Sequence, residues 1–498
     1  MLSRRWLSVV LLTASAVAAA APGRRVVVDV PAPATPAAAV SHVIFLDRCS
    51  GGCNLTKSAT NNASLLMSSI PQGTGPFHVN EYADAMGNVG TLADAEWAQV
   101  VQCVTEVYSP FDVTITDVKP TTGTYHVALV AGSPVEVGLS NDILGIAPLA
   151  GDCSAQDNVM SFTFANHHAT QDRVNNVCWT IAQESAHAFG LDHEFMFVDG
   201  RSTCSDPMTY RTDCGGERFY RNESASCGEF SVRPCKCGTT QNSHKKLLSV
   251  FGPGTPITGN PTSEITFPQP TPPPPFPAVV AASAGSKRGI AKVELRINGF
   301  PWATQAGLPF TLTGQATPGM YTLTVPTNLP KSIVDIFVRA YDDLGATTDS
   351  STLTLTNGEA CTTAATCAAH QKCEAGRCFW DPPVGETGDD CTYPQFCKSN
   401  VCTETSGGKY CSEPCTPEEK PATCPDALEC VQSAPGVGVC VPGASGGGCC
   451  SAGAPGAFPW PPVGFALLVM CWILRRRRGV RARFADVRGS GRGCDESC

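Results

Sequence analysis

The sequence predicts a multidomain chain: an α/β (α+β) domain, then a β-sandwich, then a disulfide-rich small domain and a C-terminal apolar helix. Three observations carry that expectation. Strand-like and helix-like hydrophobic periods alternate between residues 41 and 252. Short runs of period two, separated by turn residues, fill 278–357 after a proline-rich stretch. Twelve cysteines crowd into the eighty residues from Cys361 to Cys440. A length of 498 residues suits several modules better than one.

The N-terminus reads as an export signal over 1–21. Arg4 and Arg5 give a basic start, Trp6 to Val17 is apolar, and Ala18 to Ala21 suits a signal peptidase. The chain holds 27 cysteines, far more than a reducing compartment usually hosts, which again favours an exported protein. A net charge of −9 argues against a nucleic-acid partner. Residues 22–40, rich in Ala, Pro and Val, read as a linker.

Within 41–252, Val43 to Asp47 is a short apolar strand. Ala93 to Tyr108 suits a helix, because Trp97, Val100, Val101, Val104 and Val107 recur at helical spacing. Phe111 to Val118 and Tyr125 to Val130 read as strands, and Asn158 to Phe164 as an edge strand near the site. Val174 to Phe189 is a helix stopped by Gly190, and Ser243 to Phe251 a closing helix. Residues 253–277, with Pro272 to Pro275, predict an extended spacer. In 278–357 the alternating runs at Val293, Tyr321 and Val334 predict a β-sandwich, a stretch that resembles bacterial Ig-like modules. The segment 361–440 has too little apolar material for a core and needs disulfides instead.

At the other end, Gly446 to Gly448, Cys449 and Cys450 precede an uncharged stretch and the arginines 475–478. That order resembles the MYXO-CTERM cell-surface sorting signal over 446–478, which implies lipid modification at Cys449 or Cys450 and a membrane-attached protein. A plain transmembrane anchor with a basic tail is the other option. The basic tail 479–498 continues beyond the pattern, with no assigned role.

The chemistry-bearing run is Gln183-Glu-Ser-Ala-His-Ala-Phe-Gly-Leu-Asp-His193. On a helix, residues 183 and 187 project from one face. Glu184 stands beside that spot, where a carboxylate can take a proton from water. Gly190 permits the sharp turn that brings His193 back. Three such ligands plus one water is what a catalytic zinc needs. Fifteen residues beyond His193 lies Met208, in Ser205-Asp-Pro-Met-Thr-Tyr210.

These two motifs resemble the metzincin zinc proteases, whose helix motif HExxHxxGxxH is matched here except that Gln183 replaces the first histidine. The resemblance covers about 210 residues, strongly only 178–210. It implies one zinc ion held by His187, His193 and Gln183, a Met-turn at Met208, Glu184 as general base and a protein or peptide substrate. Glu194 and Tyr210 lean toward the astacin-like branch, in which Tyr210 would stabilise the transition state. A glutamine oxygen is a weaker zinc donor than imidazole. His167 and His168 are possible substitutes, and Asp192 need not face the metal. The expected function is an exported, surface-attached zinc endopeptidase. The alternative is a catalytically inactive metzincin-like binding or structural envelope protein.

Overall fold

The computed structural model describes residues 23–32, 40–213, 216–265, 279–307, 319–326, 329, 331–380, 382–405, 408–415, 424–425, 428–434 and 437–442. The described residues all belong to one compact unit, which ends at Ala444, and Ser445–Cys498 is set apart from it as a second unit. The second unit lies wholly outside the described residues. So do the expected signal peptide, the sorting segment with Cys449 and Cys450, and the tail 479–498. No helix among the described residues is long and apolar enough to cross a membrane.

The first domain is built on a six-stranded sheet. Its strands are β1 (Arg24–Val30), β2 (Val43–Asp47), β3 (Thr114–Thr116), β4 (His126–Val130), β5 (Ile143–Ala150) and β6 (Met160–Thr163), in the order β1-β5-β6-β4-β2-β3. β3, β2, β4 and β6 run parallel to one another, and β5 pairs antiparallel with β6. β1 then pairs parallel with β5. Helices α1 (Asp94–Tyr108), α2 (Arg173–Ala188) and α3 (Ser243–Phe251) complete the domain.

Two expectations fail here. Residues 24–30, read as linker, form the outermost strand, because Val26 and Val28 pack on the apolar cluster around Phe162 and Ile146. Residues 160–163, read as an edge, lie inside the sheet, because β5 and β1 are added beyond them. β5 carries no clean strand signature in the sequence, because Gly145 and Pro148 interrupt it.

α2 is buried almost all round, since the sheet covers one face and α1, Tyr220 and Leu247 the other. Each fully buried Val, Ile or Phe contributes roughly 1.5–3 kcal/mol. The two long helices are joined twice. Cys103 and Cys178 form a disulfide, and the Tyr108 hydroxyl lies 2.6 Å from Ser185 Oγ. In the chain-entropy account a bridge closing a loop of this length stabilises by about 4–5 kcal/mol.

The middle module has two sheets enclosing an apolar cluster that includes Val280, Leu295, Tyr321 and Ile336. One expectation is corrected at its edge. Thr262–Ile265, read as spacer, pairs antiparallel with Val279–Gly285 as part of the smaller sheet. Its Thr-Ser-Glu-Ile alternation suits a strand despite the surrounding prolines. The cysteine-rich segment is stapled by six bridges in overlapping pairs: 361–373, 367–378, 391–402, 397–411, 415–430 and 424–440.

Candidate metal centre

α2 ends at Ala188 with Phe189 as its cap, and Gly190 takes φ +91. A side chain there would also fail sterically, since a Cβ would stand 2.1 Å from the Cys153 carbonyl oxygen. The turn folds the chain back so that His193 meets the helix. His187 Nε2 and His193 Nε2 come to 3.0 Å, with the rings perpendicular and their centroids 4.5 Å apart.

The other ring nitrogens are already committed. His187 Nδ1 donates to the Leu191 carbonyl at 2.6 Å, and His193 Nδ1 donates to Glu229 Oε1 at 3.0 Å. With both rings neutral, the two Nε2 atoms are lone-pair acceptors. Two such acceptors at 3.0 Å repel unless a metal ion or a proton lies between them. Nitrogens that share one zinc ion at about 2.0–2.1 Å stand roughly 3–3.4 Å apart. The observed pair fits that requirement. Burial pushes His187 down to about 3, with the neighbouring His193 adding to it, so its imidazole is in the neutral, ligating form.

Gln183 and Glu184 add a second indication. Both are fully buried, and neither amide atom of Gln183 nor either carboxylate oxygen of Glu184 hydrogen-bonds to a described residue. Four orphaned polar atoms on one turn of helix are costly unless a ligand satisfies them. Burial raises the Glu184 carboxyl well above the usual range, and the charge of Arg25 opposes that shift. Gly145 of β5 makes room for this carboxylate, since a Cβ there would lie 2.6 Å from Glu184 Oε1.

Met208 is fully buried in the apolar cluster that also holds Ala182 and Ala186 of α2. Its turn is fixed by Asp206, which accepts from the Met208 and Arg221 backbone N–H groups and from Ser243 Oγ. Glu194 N–H donates to the Met208 carbonyl at 2.7 Å, tying the turn to the residue after His193. Tyr210 lies against the His193 ring, with centroids 4.7 Å apart, and beside Phe230. Burial raises its phenol above the usual range, helped by the Glu184 charge. Tyr210 opens onto a cleft of about 500 Å³ lined also by Arg25, His168, Phe195, Glu229 and Phe230.

Of the other sequence candidates, His168 lines this cleft, and no contact links it to His187 or His193. Asp192 turns away from the paired nitrogens: its carboxylate takes a bidentate Arg233 at 2.6 and 2.8 Å and the Lys236 N–H. Asp192, His193 and Glu229 offer ligand atoms close to one another, but both carboxylates are already paired with Arg233. The cysteine clusters are all engaged in disulfides.

Glu229, Arg233 and Arg25 are the participants that sequence reasoning missed. Glu229 lies 36 residues from its histidine, on a loop with no periodicity. The one available signal was the pair Cys227 and Cys235, whose disulfide pins the loop that carries it.

No protein-family model and no curated protein matches the chain. Among solved structures, two crystal forms of wild-type OgpA from Akkermansia muciniphila align with it at 11% identity. They cover 66% of this chain and 96% and 95% of theirs, with TM-scores of 0.14 and 0.15. At those scores the likeness carries no argument.

Proposed function

We propose that the chain is an exported, cell-surface-attached zinc endopeptidase of metzincin type. The observation that carries this is the facing pair His187 Nε2 and His193 Nε2, each ring oriented by a hydrogen bond from its far nitrogen. The orphaned atoms of Gln183 and Glu184 supply the third ligand and the base. The described disulfides support an oxidising location.

Zinc held by His187, His193 and Gln183 would polarise a scissile carbonyl and acidify a water. Glu184 takes the proton from that water and passes it to the leaving amine. A carboxyl raised by burial is suited to both steps. The hydroxyl of Tyr210, whose ring packs against that of His193, donates to the developing oxyanion. Glu229 orients His193 from its far side, and the Met208 carbonyl holds the next residue, Glu194. The sandwich and cysteine-rich modules serve as spacers or docking units.

The test compares casein cleavage by the full chain, by Glu184→Ala and by Gln183→His. The proposal requires cleavage by the natural chain and none by Glu184→Ala. Activity only in Gln183→His makes the natural protein an inactive, metzincin-like binding protein.

A further inference from the structure

The cysteine-rich segment holds a cleft of about 420 Å³ that the proposed function leaves unused. Its walls include His370, Trp380, Asp390, Thr392, Tyr393 and Phe396. Each of these residues lies within three positions of a bridged cysteine, Cys367, Cys378, Cys391 or Cys397. The walls are therefore pinned by disulfides, and little loop ordering remains to oppose a ligand.

The rings of the cleft form two groups. Trp380 and Tyr393 have centroids 5.2 Å apart at 47°, and His370 and Phe396 5.8 Å apart at 34°. Tyr393 also packs on Trp302 of the sandwich at 5.2 Å, and Gln395 Nε2 donates to the Pro301 carbonyl at 2.7 Å. The aromatic wall is thus anchored to a second module. Such rings offer flat apolar faces to a ligand.

Polar groups stand among these faces without partners. The side chains of Asp390, Thr392 and His370 make no hydrogen bond or ion pair with a described residue. All three are exposed, so water satisfies them until a ligand replaces it. Trp380 is 3% exposed and borders both this cleft and a smaller cavity beside Gln395. Its Nε1 hydrogen-bonds to no described residue in either. A buried N–H donor left so is costly.

The lining selects among ligand classes. It holds no Lys or Arg, so nothing there recognises a phosphate or a carboxylate. Its aliphatic part is Ala368 and Ala369 alone, too little to bury an acyl chain. A sugar matches what is present. The C–H face of a pyranose ring packs on an aromatic ring. Its hydroxyls donate to Asp390, and they both donate to and accept from Thr392 and His370. The volume lies in the small-ligand range.

We infer that this cleft binds a neutral mono- or disaccharide unit, which makes the cysteine-rich module a sugar-recognition module. The assignment stands on this module and does not depend on the peptidase reading.

The test uses the full chain and saturation-transfer NMR. The probes are cellobiose, maltose, lactose and N,N′-diacetylchitobiose, each at millimolar concentration. At least one should bind the natural chain. His370→Ala and Asp390→Ala alter exposed side chains, so the fold should be retained, and each should weaken that binding at least about tenfold. Asp390→Asn keeps an oxygen acceptor and loses only the charge, and should retain binding. Failure of all four saccharides to bind overturns the inference, as does equal binding by His370→Ala and Asp390→Ala. Binding of tetramethylammonium or of an oligoproline peptide, with no saccharide bound, also overturns it, because the aromatic faces would then serve a cation or an extended peptide.

Discussion

His193 Nδ1 lies 3.0 Å from Glu229 Oε1, and Arg233 holds the same carboxylate oxygen at 2.7 Å. The hydrogen bond from His193 and the arginine keep Glu229 ionised well below the usual range. That ionised partner fixes which nitrogen of His193 carries the proton. Glu229→Gln should therefore weaken zinc binding by about 10–100-fold while leaving the far-ultraviolet spectrum unchanged. Competition with a zinc-chelating dye checks this, and unchanged affinity would remove Glu229 from the account.

Gly190 separates two costs that glycine substitutions usually mix. Gly190→Ala meets both a positive φ and the Cys153 carbonyl at 2.1 Å, so it should cost roughly 3–5 kcal/mol in urea unfolding. Gly87→Ala, at φ +80 with nothing within 4 Å, should cost about 1 kcal/mol. Equal costs would mean that the close approach to Cys153 is not real.

Two buried histidines make the fold acid-sensitive. Burial lowers His126 to about 3, and burial together with the Arg25 and Arg173 charges lowers His168 to about 3. Unfolded histidines titrate near 6.5, so the unfolded chain binds more protons in between. The stability from these groups is present above pH about 6.5 and is lost as pH falls toward about 3. His126→Gln should flatten stability against pH in that window by about 1.4 kcal/mol per pH unit. Urea midpoints at several pH values measure it, and an unchanged slope contradicts the assignment.

Asp343 joins the sandwich to the first domain. It accepts from Arg288 Nε and Nη2 and from Arg221 Nη1, all within 2.9 Å, and both arginines are buried. Asp343→Ala leaves two buried guanidinium groups without this counter-charge and should cost about 3–5 kcal/mol. Calorimetry should then show the two modules melting separately. A single unshifted transition would assign no coupling to this cluster.

The helices were legible because their periods are long and consistent. α1 and α2 lie within one residue of their expected starts, and α3 has the expected bounds. The site motif was legible because one helix and one turn carry most of it. β1 and β5 were not, for a reason the site itself supplies. Gly145 weakens the strand signature of β5, yet the Glu184 carboxylate needs it to be glycine. Arg25 and Glu229 could not be read from spacing, since only the closed fold brings Arg25 to Glu184 and Glu229 to His193.

His187 Nε2 and His193 Nε2 face each other at 3.0 Å, and the proposed function assigns one shared zinc ion to that pair. The direct measurement is zinc per chain on the purified full chain after reconstitution and removal of excess ion. Close to one zinc per natural chain, with none retained by His187→Ala or His193→Ala, is the result the proposed function predicts. A natural chain that stays zinc-free, or an His193→Ala variant that binds as much zinc as the natural chain, would contradict it.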